Sequence, residues 1–177
     1  MISPKTASSR ITIFAVLMLV ILFCWCSCSR TAKNAETVST DFVCKFDADY
    51  KSTNVKGTLT RYTAGTLKLD IDEPSTLKNL SMEWDGEKVT LKLYGLSFNV
   101  EPDTIPQSAL GRVVASVLDS IQIPGASRTE SGNEVVTKGD SPLGSYEAVT
   151  DPETGYIRSL SVPSQELTVS FSDITVN

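Results

Sequence analysis

Residues 42–50 read Phe42-Val-Cys-Lys-Phe-Asp-Ala-Asp-Tyr50, and apolar and polar side chains alternate along this stretch with a period of two. Strict alternation is typical of a β-strand that buries one face and exposes the other. The stretch therefore predicts a half-buried strand of about nine residues. The same alternation recurs in four further segments, separated by turn residues: 55–62, 67–72, 80–84 and 89–100.

The last of these segments changes phase at Gly95. Its apolar side chains fall on odd positions from 89 to 93 and on even positions from 96 to 100. A glycine at such a change indicates a β-bulge, so we predict one bent strand here. Five sequential strands joined by tight turns, including Asp85-Gly86, predict an antiparallel meander.

One amphipathic helix follows the meander. Apolar residues recur at i, i+3, i+4, i+7, i+8 and i+11 from Leu110 to Ile121, which gives a continuous apolar stripe. Ser108 is a candidate N-cap, and Pro124-Gly125 ends the segment. We expect a helix of about 14 residues, roughly 21 Å long. Because valine and isoleucine are weak helix formers, this helix depends on burial against the sheet.

A second group of strands is predicted after the helix. Its segments are 134–137, 145–150, 156–162 and 166–172. The chain of 177 residues is thus long enough for one domain with an appendage. We predict a mainly β (α+β) fold, in which a strongly curved antiparallel sheet of about 8–9 strands carries one amphipathic helix on its concave face.

Charge and residue types exclude several functions. Lys and Arg total 16 against 21 Asp and Glu, so the net charge of -5 argues against a nucleic-acid partner. The absence of His removes Ser-His-Asp and Cys-His relays and imidazole metal sites. Asp70 and Asp72 could suggest a Ca²⁺ site or acid-base chemistry, but they lie on the polar face of a predicted strand. Ser75-x-x-Lys78 matches the nucleophile motif of penicillin-binding enzymes, but the S-D-N and K-T-G elements that those enzymes need are absent. We therefore predict a protein that is not an enzyme, with no catalytic residue, no metal and no cofactor.

The N-terminal segment predicts a lipoprotein signal. Lys5 and Arg10 form a positive region ahead of an apolar stretch of about 16 residues, which is shorter than the roughly 20 that span a bilayer. Of the cysteines at its end, Cys28 follows the small residue Ser27, whereas Cys24 and Cys26 follow bulky residues.

We therefore predict that Cys28 is lipidated with acyl chains such as palmitate, and that residues 1–27 are a signal peptide, 28–40 a polar tether and 41–177 the folded domain. An uncleaved anchor is the alternative. Both interpretations attach the domain to the extracytoplasmic face of the cell membrane. Cys44, the one cysteine left in the domain, is predicted to be a small buried hydrophobe.

Three segments carry a family resemblance: Gly57-Thr-Leu-Thr-Arg-Tyr62, Leu67-Lys-Leu-Asp-Ile-Asp-Glu-Pro74 and Leu80-Ser-Met-Glu-Trp-Asp-Gly86. Strands that run to a Pro, followed by a strand that ends in an Asp-Gly turn, resemble the LolA/LolB-like lipoprotein-localisation superfamily. The resemblance covers roughly residues 42–121 and looks strongest to lipid-anchored Gram-positive relatives of the spore-germination lipoprotein type. It implies a half-barrel that holds acyl chains between its sheet and helices, without catalytic residues.

The size of the sheet predicts where a ligand would bind. One helix covers only part of a sheet of eight strands, which is nearly 40 Å wide before it curls. We expect a partial opening beside the helix, bordered by Trp84 and Phe98. The predicted ligand-binding residues, all apolar, are Phe46, Met82, Trp84, Leu91 and Phe98.

The predicted function is that of a membrane-anchored lipoprotein that binds an apolar ligand (an acyl chain or a lipid) or an envelope protein in its concave sheet. The alternative is an accessory lipoprotein without a ligand, which stabilises a partner such as a cell-wall hydrolase in sporulation or germination.

The anchor prediction is tested by Cys28→Ala. We expect this variant to leave the membrane fraction, or to persist as an unprocessed precursor without acyl label, because the acyl chains supply the membrane affinity. Metabolic labelling with a fatty acid followed by fractionation measures both. Label that persists in Cys28→Ala would instead place the anchor on Cys24 or Cys26.

Overall fold

The computed structural model describes residues 41–63, 65–106 and 109–176, so the predicted signal, Cys28 and the tether lie outside the described residues. These residues form one antiparallel sheet and a single α-helix, with 3-10 turns at Pro102–Thr104 and Pro163–Gln165. None of the described helical segments has the length and hydropathy needed to cross a membrane. The elements in chain order are β1 (Phe42–Tyr50), β2 (Thr53–Thr63), β3 (Thr66–Glu73), β4 (Ser81–Trp84), β5 (Val89–Leu93), β6 (Leu96–Val100), α1 (Leu110–Ser120), β7 (Ser127–Ser131), β8 (Glu134–Ser141), β9 (Gly144–Thr150), β10 (Ile157–Val162) and β11 (Leu167–Val176).

The sheet consists of two meanders joined at their ends. The strand order is β6-β5-β4-β3-β2-β1-β11-β10-β9-β8-β7, so the first and last strands of the chain pair in the middle of the sheet. The β1–β11 register places Phe46 opposite Phe171 and Ala48 opposite Val169. Strands β6 and β7 are the two edges, and the sheet does not close on itself. The mainly β antiparallel prediction is confirmed, whereas the predicted number of 8–9 strands is too low because the sheet has 11.

One missing strand results from the prediction at Gly95, which is wrong. Tyr94 and Gly95 have φ of 48° and 82°, and Leu93 pairs directly with Leu96. Two consecutive residues with positive φ make a two-residue hairpin turn, not a bulge. The phase change that suggested one bent strand therefore separates two strands, β5 and β6.

The other missing strand is β7, which has no hydrophobic pattern. Its sequence, Ser-Arg-Thr-Glu-Ser, is exposed at every position. The strand is held by its backbone pairing with β8, for example Thr129 opposite Val136. Alternation reveals a strand only if one of its faces is buried, and both faces of this edge strand are exposed to solvent.

The helix packs its predicted apolar stripe against the sheet. Val113, Val114, Val117 and Leu118 of α1 are buried in one cluster with Phe42, Leu59, Leu69 and other strand residues. The helix has 11 residues rather than about 14 and is therefore about 16 Å long. Its N-cap position is Ala109, which makes no side-chain cap bond, and the predicted cap Ser108 lies outside the described residues.

The dependence of the helix on burial is tested by Val114→Asp. An unpaired carboxylate at this buried position should lower the free energy of unfolding by several kcal/mol. Ile123→Asp is the matched control, because Ile123 follows the helix and is exposed. Chemical denaturation of both variants measures the difference, and equal stabilities would show that α1 contributes nothing to the core.

Candidate functional site

One row of side chains crosses the helix-facing side of the first meander. Residues directly opposite each other in an antiparallel sheet share a face, and the registers align Cys44, Leu59, Leu69, Met82, Leu91 and Phe98. Burial falls along this row: the first three are buried, Met82 and Leu91 are half-buried, and Phe98 is 54% exposed. The apolar face therefore continues beyond the part that the core covers.

An apolar cavity of about 390 Å³ lies beside the first turn of α1, where the helix stops covering the sheet. It is partly open and is formed by the β1–β2 hairpin, β3, the β3–β4 connection, β4 and the first turn of α1. Its described lining residues are almost all apolar: Tyr50, Lys51, Thr53, Val55, Leu69, Ile71, Leu77, Leu80, Met82, Leu110 and Gly111. We refer to it as the apolar cavity.

Gly111 sets how closely α1 approaches the sheet beside this cavity. A Cβ on Gly111 would lie 3.0 Å from Leu69 Cδ1 and 3.1 Å from Met82 Sδ. Any larger residue would push the helix away or displace these side chains. The glycine thus allows the helix N-terminus to form one wall of the cavity.

The β3–β4 connection forms the outer wall. After β3 it turns back, and the Ile71 amide donates to the Leu80 carbonyl while the Asn79 amide donates to the Ile71 carbonyl. Asn79 has a φ of 70°, which reverses the chain there. The result places Leu77 at the cavity with 37% of its surface exposed.

Two of the residues that line the apolar cavity, Tyr50 and Lys51, carry polar groups. The Tyr50 hydroxyl oxygen is buried and has no hydrogen-bond partner among the described residues. Lys51 Nζ lies 5.1 Å from the centroid of the Tyr50 ring. Of the described residues that line the cavity, Lys51 alone carries a charge.

A second, more polar cavity of about 280 Å³ lies along α1, and its lining includes Trp84, Arg112, Ser116 and Asp119. The Arg112 guanidinium lies 5.9 Å from the centroid of the Trp84 ring, so it covers the indole by a cation–π contact. Arg112 Nη1 also donates to the carbonyls of Pro102 and Ile105, at 3.0 and 2.9 Å. This cavity is therefore bordered by charged groups that are already engaged.

Arg61 is a charged residue on the apolar face that the sequence interpretation missed. It is 1% exposed, and its Nη2 donates to Asp119 Oδ1 at 2.6 Å. The same carboxylate oxygen accepts from the Gly65 amide at 3.2 Å, so the end of α1 is attached to the β2–β3 turn. The signal was available, because Arg61 continues the inward phase of Val55, Gly57 and Leu59.

The predicted ligand-binding residues do not converge on one cavity. Phe46 is buried in the core, Met82 lines the apolar cavity and Trp84 lines the polar one. Leu91 and Phe98 line neither of these two. The opening expected between Trp84 and Phe98 stays a prediction: Phe98 lies on the predicted face, at the uncovered edge strand.

The structure also places the buried cysteine and the two strand aspartates that the sequence analysis considered. Cys44 is buried, and its burial raises the pKa of the thiol to about 12. Asp70 and Asp72 lie on the solvent face, where they pair with Lys68 and Lys45. Among the described residues there is no group of three metal-ligating side chains.

The role of Arg61 is tested by a double-mutant cycle. Asp119→Asn should cost about 2 kcal/mol, less than the loss of a partner in a fully buried pair, because Asp119 is partly in water. Arg61→Met combined with Asp119→Asn should recover most of that loss, since no buried charge is left unpaired. Denaturant unfolding measures Arg61→Met, Asp119→Asn and the double variant, and additive effects of the two substitutions would contradict the coupling.

No protein-family model and no curated protein sequence matches the chain. Solved structures do resemble it. An uncharacterised conserved protein from Thermus thermophilus matches with a TM-score of 0.49 and 10% identity over 80% of this chain and 82% of that one. A DUF1329 family protein from Desulfovibrio piger matches with a TM-score of 0.42 and 8% identity over 82% and 89% of the two chains. A LolA superfamily protein from Nitrosomonas europaea matches with a TM-score of 0.41 and 6% identity over 80% and 87%. All three matches have a TM-score below 0.5 and an identity of 10% or less.

Proposed function

We propose that this chain is an extracytoplasmic binding protein that holds an apolar ligand of acyl-chain type in the apolar cavity. The observation that carries this proposal is a partly open cavity with an almost wholly apolar lining. Apolar surface in contact with water is unfavourable, and the burial of a ligand removes it at about 25 cal/mol per Å². An open apolar cavity is therefore typical of a site that acquires an occupant.

The volume of the cavity favours a small ligand. At about 390 Å³ it lies at the lower end of the range for small-molecule sites, which runs from roughly 300 to 1,000 Å³. If a methylene group takes about the volume of a liquid water molecule, roughly 30 Å³, the cavity holds about 13 of them. This capacity supports one acyl chain as the ligand.

The proposal includes the membrane anchor at Cys28 and a sheet that curves around α1. The tether leads into β1 at Phe42, and the cavity lies at the other end of that strand, at Tyr50. At about 3.3 Å per residue, the two ends of β1 are roughly 26 Å apart. An anchored domain would in this way hold its ligand at a distance from the point where its tether enters.

An accessory role with a protein partner is the second candidate, and one observation favours it. The edge strand β6 exposes Leu96 by 62% and Phe98 by 54%, next to the exposed Tyr94 at its hairpin turn. Exposed apolar side chains on an unpaired strand edge are typical of a protein-binding surface. This surface is distinct from the apolar cavity, so the two functions can be separated by mutation.

The ligand-binding proposal is tested by Leu77→Asp, with Leu96→Asp as the matched control. Both leucines are exposed, so both variants should fold, which thermal unfolding checks. A neutral apolar dye whose fluorescence rises on binding reports occupancy. We expect Leu77→Asp to raise the Kd of the dye at least tenfold by placing a charge in the cavity wall, and Leu96→Asp to change it less than twofold.

Two outcomes would contradict this proposal. A wild-type domain that binds no dye would remove the ligand-binding function and leave the accessory role. If Leu96→Asp loses dye binding and Leu77→Asp retains it, the binding surface lies on β6 instead.

A further inference from the structure

The charges around the apolar cavity are sorted by face. On β1 and β3 the acidic side chains of Asp47, Asp49, Asp70 and Asp72 alternate with the apolar ones and therefore lie on the side of the sheet away from the cavity. On the cavity side, Lys51 is the only charged residue among the described lining residues. The cavity therefore has a positive group at its wall although the chain as a whole is acidic, with a net charge of -5.

Lys51 differs from the lysines on the neighbouring strands. Lys45, Lys56 and Lys68 each lie within 4.0 Å of a carboxylate, at Asp72, Asp47 and Asp70 respectively. Lys51 has no such pair among the described residues, and its ammonium group lies over the face of the Tyr50 ring. Its ammonium group thus has donors available for a further anionic partner.

The backbone holds Lys51 in place. Lys51 and Ser52 form the β1–β2 turn with φ of 47° and 66°, a left-handed conformation that usually selects Asn-Gly. The Lys51 amide donates to the Glu166 carbonyl at 3.1 Å, which ties the turn to the chain before β11. These contacts fix the backbone from which the Lys51 side chain extends beside the apolar cavity.

The adjacent hydroxyl is a second donor without a partner. The Tyr50 hydroxyl oxygen is buried, and nothing in the described part of the chain hydrogen-bonds to it. A buried polar group without a partner is unfavourable, so a ligand atom that accepts its proton would stabilise the complex. Tyr50 and Lys51 both line the apolar cavity and are consecutive in sequence.

From these observations we infer that the ligand is a single-chain amphiphile with an anionic head group, a carboxylate or a phosphate monoester. This inference rests on the proposed function. The acyl chain lies among the apolar lining residues, and the head group accepts hydrogen bonds from Lys51 Nζ and the Tyr50 hydroxyl. Charge-assisted hydrogen bonds of this kind discriminate an anionic head group from a neutral one.

The test compares three ligands of equal chain length: decanoate, decyl phosphate and 1-decanol. Each displaces a neutral dye from the wild-type chain and from Lys51→Met at neutral pH. Methionine keeps most of the aliphatic stem and removes the charge, so we expect the Kd values of decanoate and decyl phosphate to rise about tenfold and that of 1-decanol to change less than twofold. Lys88→Met, which makes the same change of charge at an exposed turn position, should leave all three Kd values within twofold.

A second variant tests the hydroxyl. Tyr50→Phe should weaken the two anionic ligands roughly threefold while the dye still binds, because only a hydrogen bond is lost. The ligand that Lys51→Met weakens more, decanoate or decyl phosphate, identifies the head group.

The outcomes separate this inference from the function on which it rests. If the wild-type chain binds dye and 1-decanol but Lys51→Met changes all three ligands equally or not at all, the anionic head group is wrong and the apolar site stands. If the wild-type chain binds none of the ligands and no dye, both proposals fail.

Discussion

The structure depends on one constraint: a helix of 11 residues has to cover the apolar face of a sheet of 11 strands. The helix is about 16 Å long, whereas 11 strands spaced about 4.8 Å apart extend over roughly 50 Å if flat. Complete cover is therefore impossible. Both cavities lie beside α1, and the row from Cys44 to Phe98 becomes exposed where the helix no longer reaches.

The covered part of the sheet lies at its middle because the chain ends pair there. Strand β1 is held between β2 and β11, and the buried residues of these three strands are central to the core. The helix contacts β3 of the first meander and β8 of the second, so it supports both of them. Their outermost strands, β6 and β7, are edges with exposed side chains, which include the apolar Leu96 and Phe98 on β6 and are all polar on β7.

The position of the helix on the sheet is set at its two ends by different means. At the N-terminal end, Gly111 permits close approach to Leu69 and Met82, and the apolar cavity remains beside that contact. At the C-terminal end, Asp119 binds the buried Arg61 and the Gly65 amide. The helix is therefore fixed by close packing at Gly111 and by an ion pair at Asp119. The candidate binding site is the space beside Gly111.

The sequence by itself determined what depends on local periodicity. Alternation identified β1 and the solvent face of Asp70 and Asp72, and the apolar stripe identified α1, because side-chain direction follows directly from the period of each element. It did not locate β7, whose two faces are both wet, or the turn at Gly95, where a phase change fits either a bulge or a hairpin. Only the tertiary structure decided which strands lie beneath the helix, and hence that Met82 lines the apolar cavity, that Trp84 is covered by Arg112 and that Phe98 is exposed. The physical reason is that the face on which a side chain lies depends on its own strand alone. Whether that side chain is covered depends on the pairing of strands far apart in the chain and on the short length of one helix.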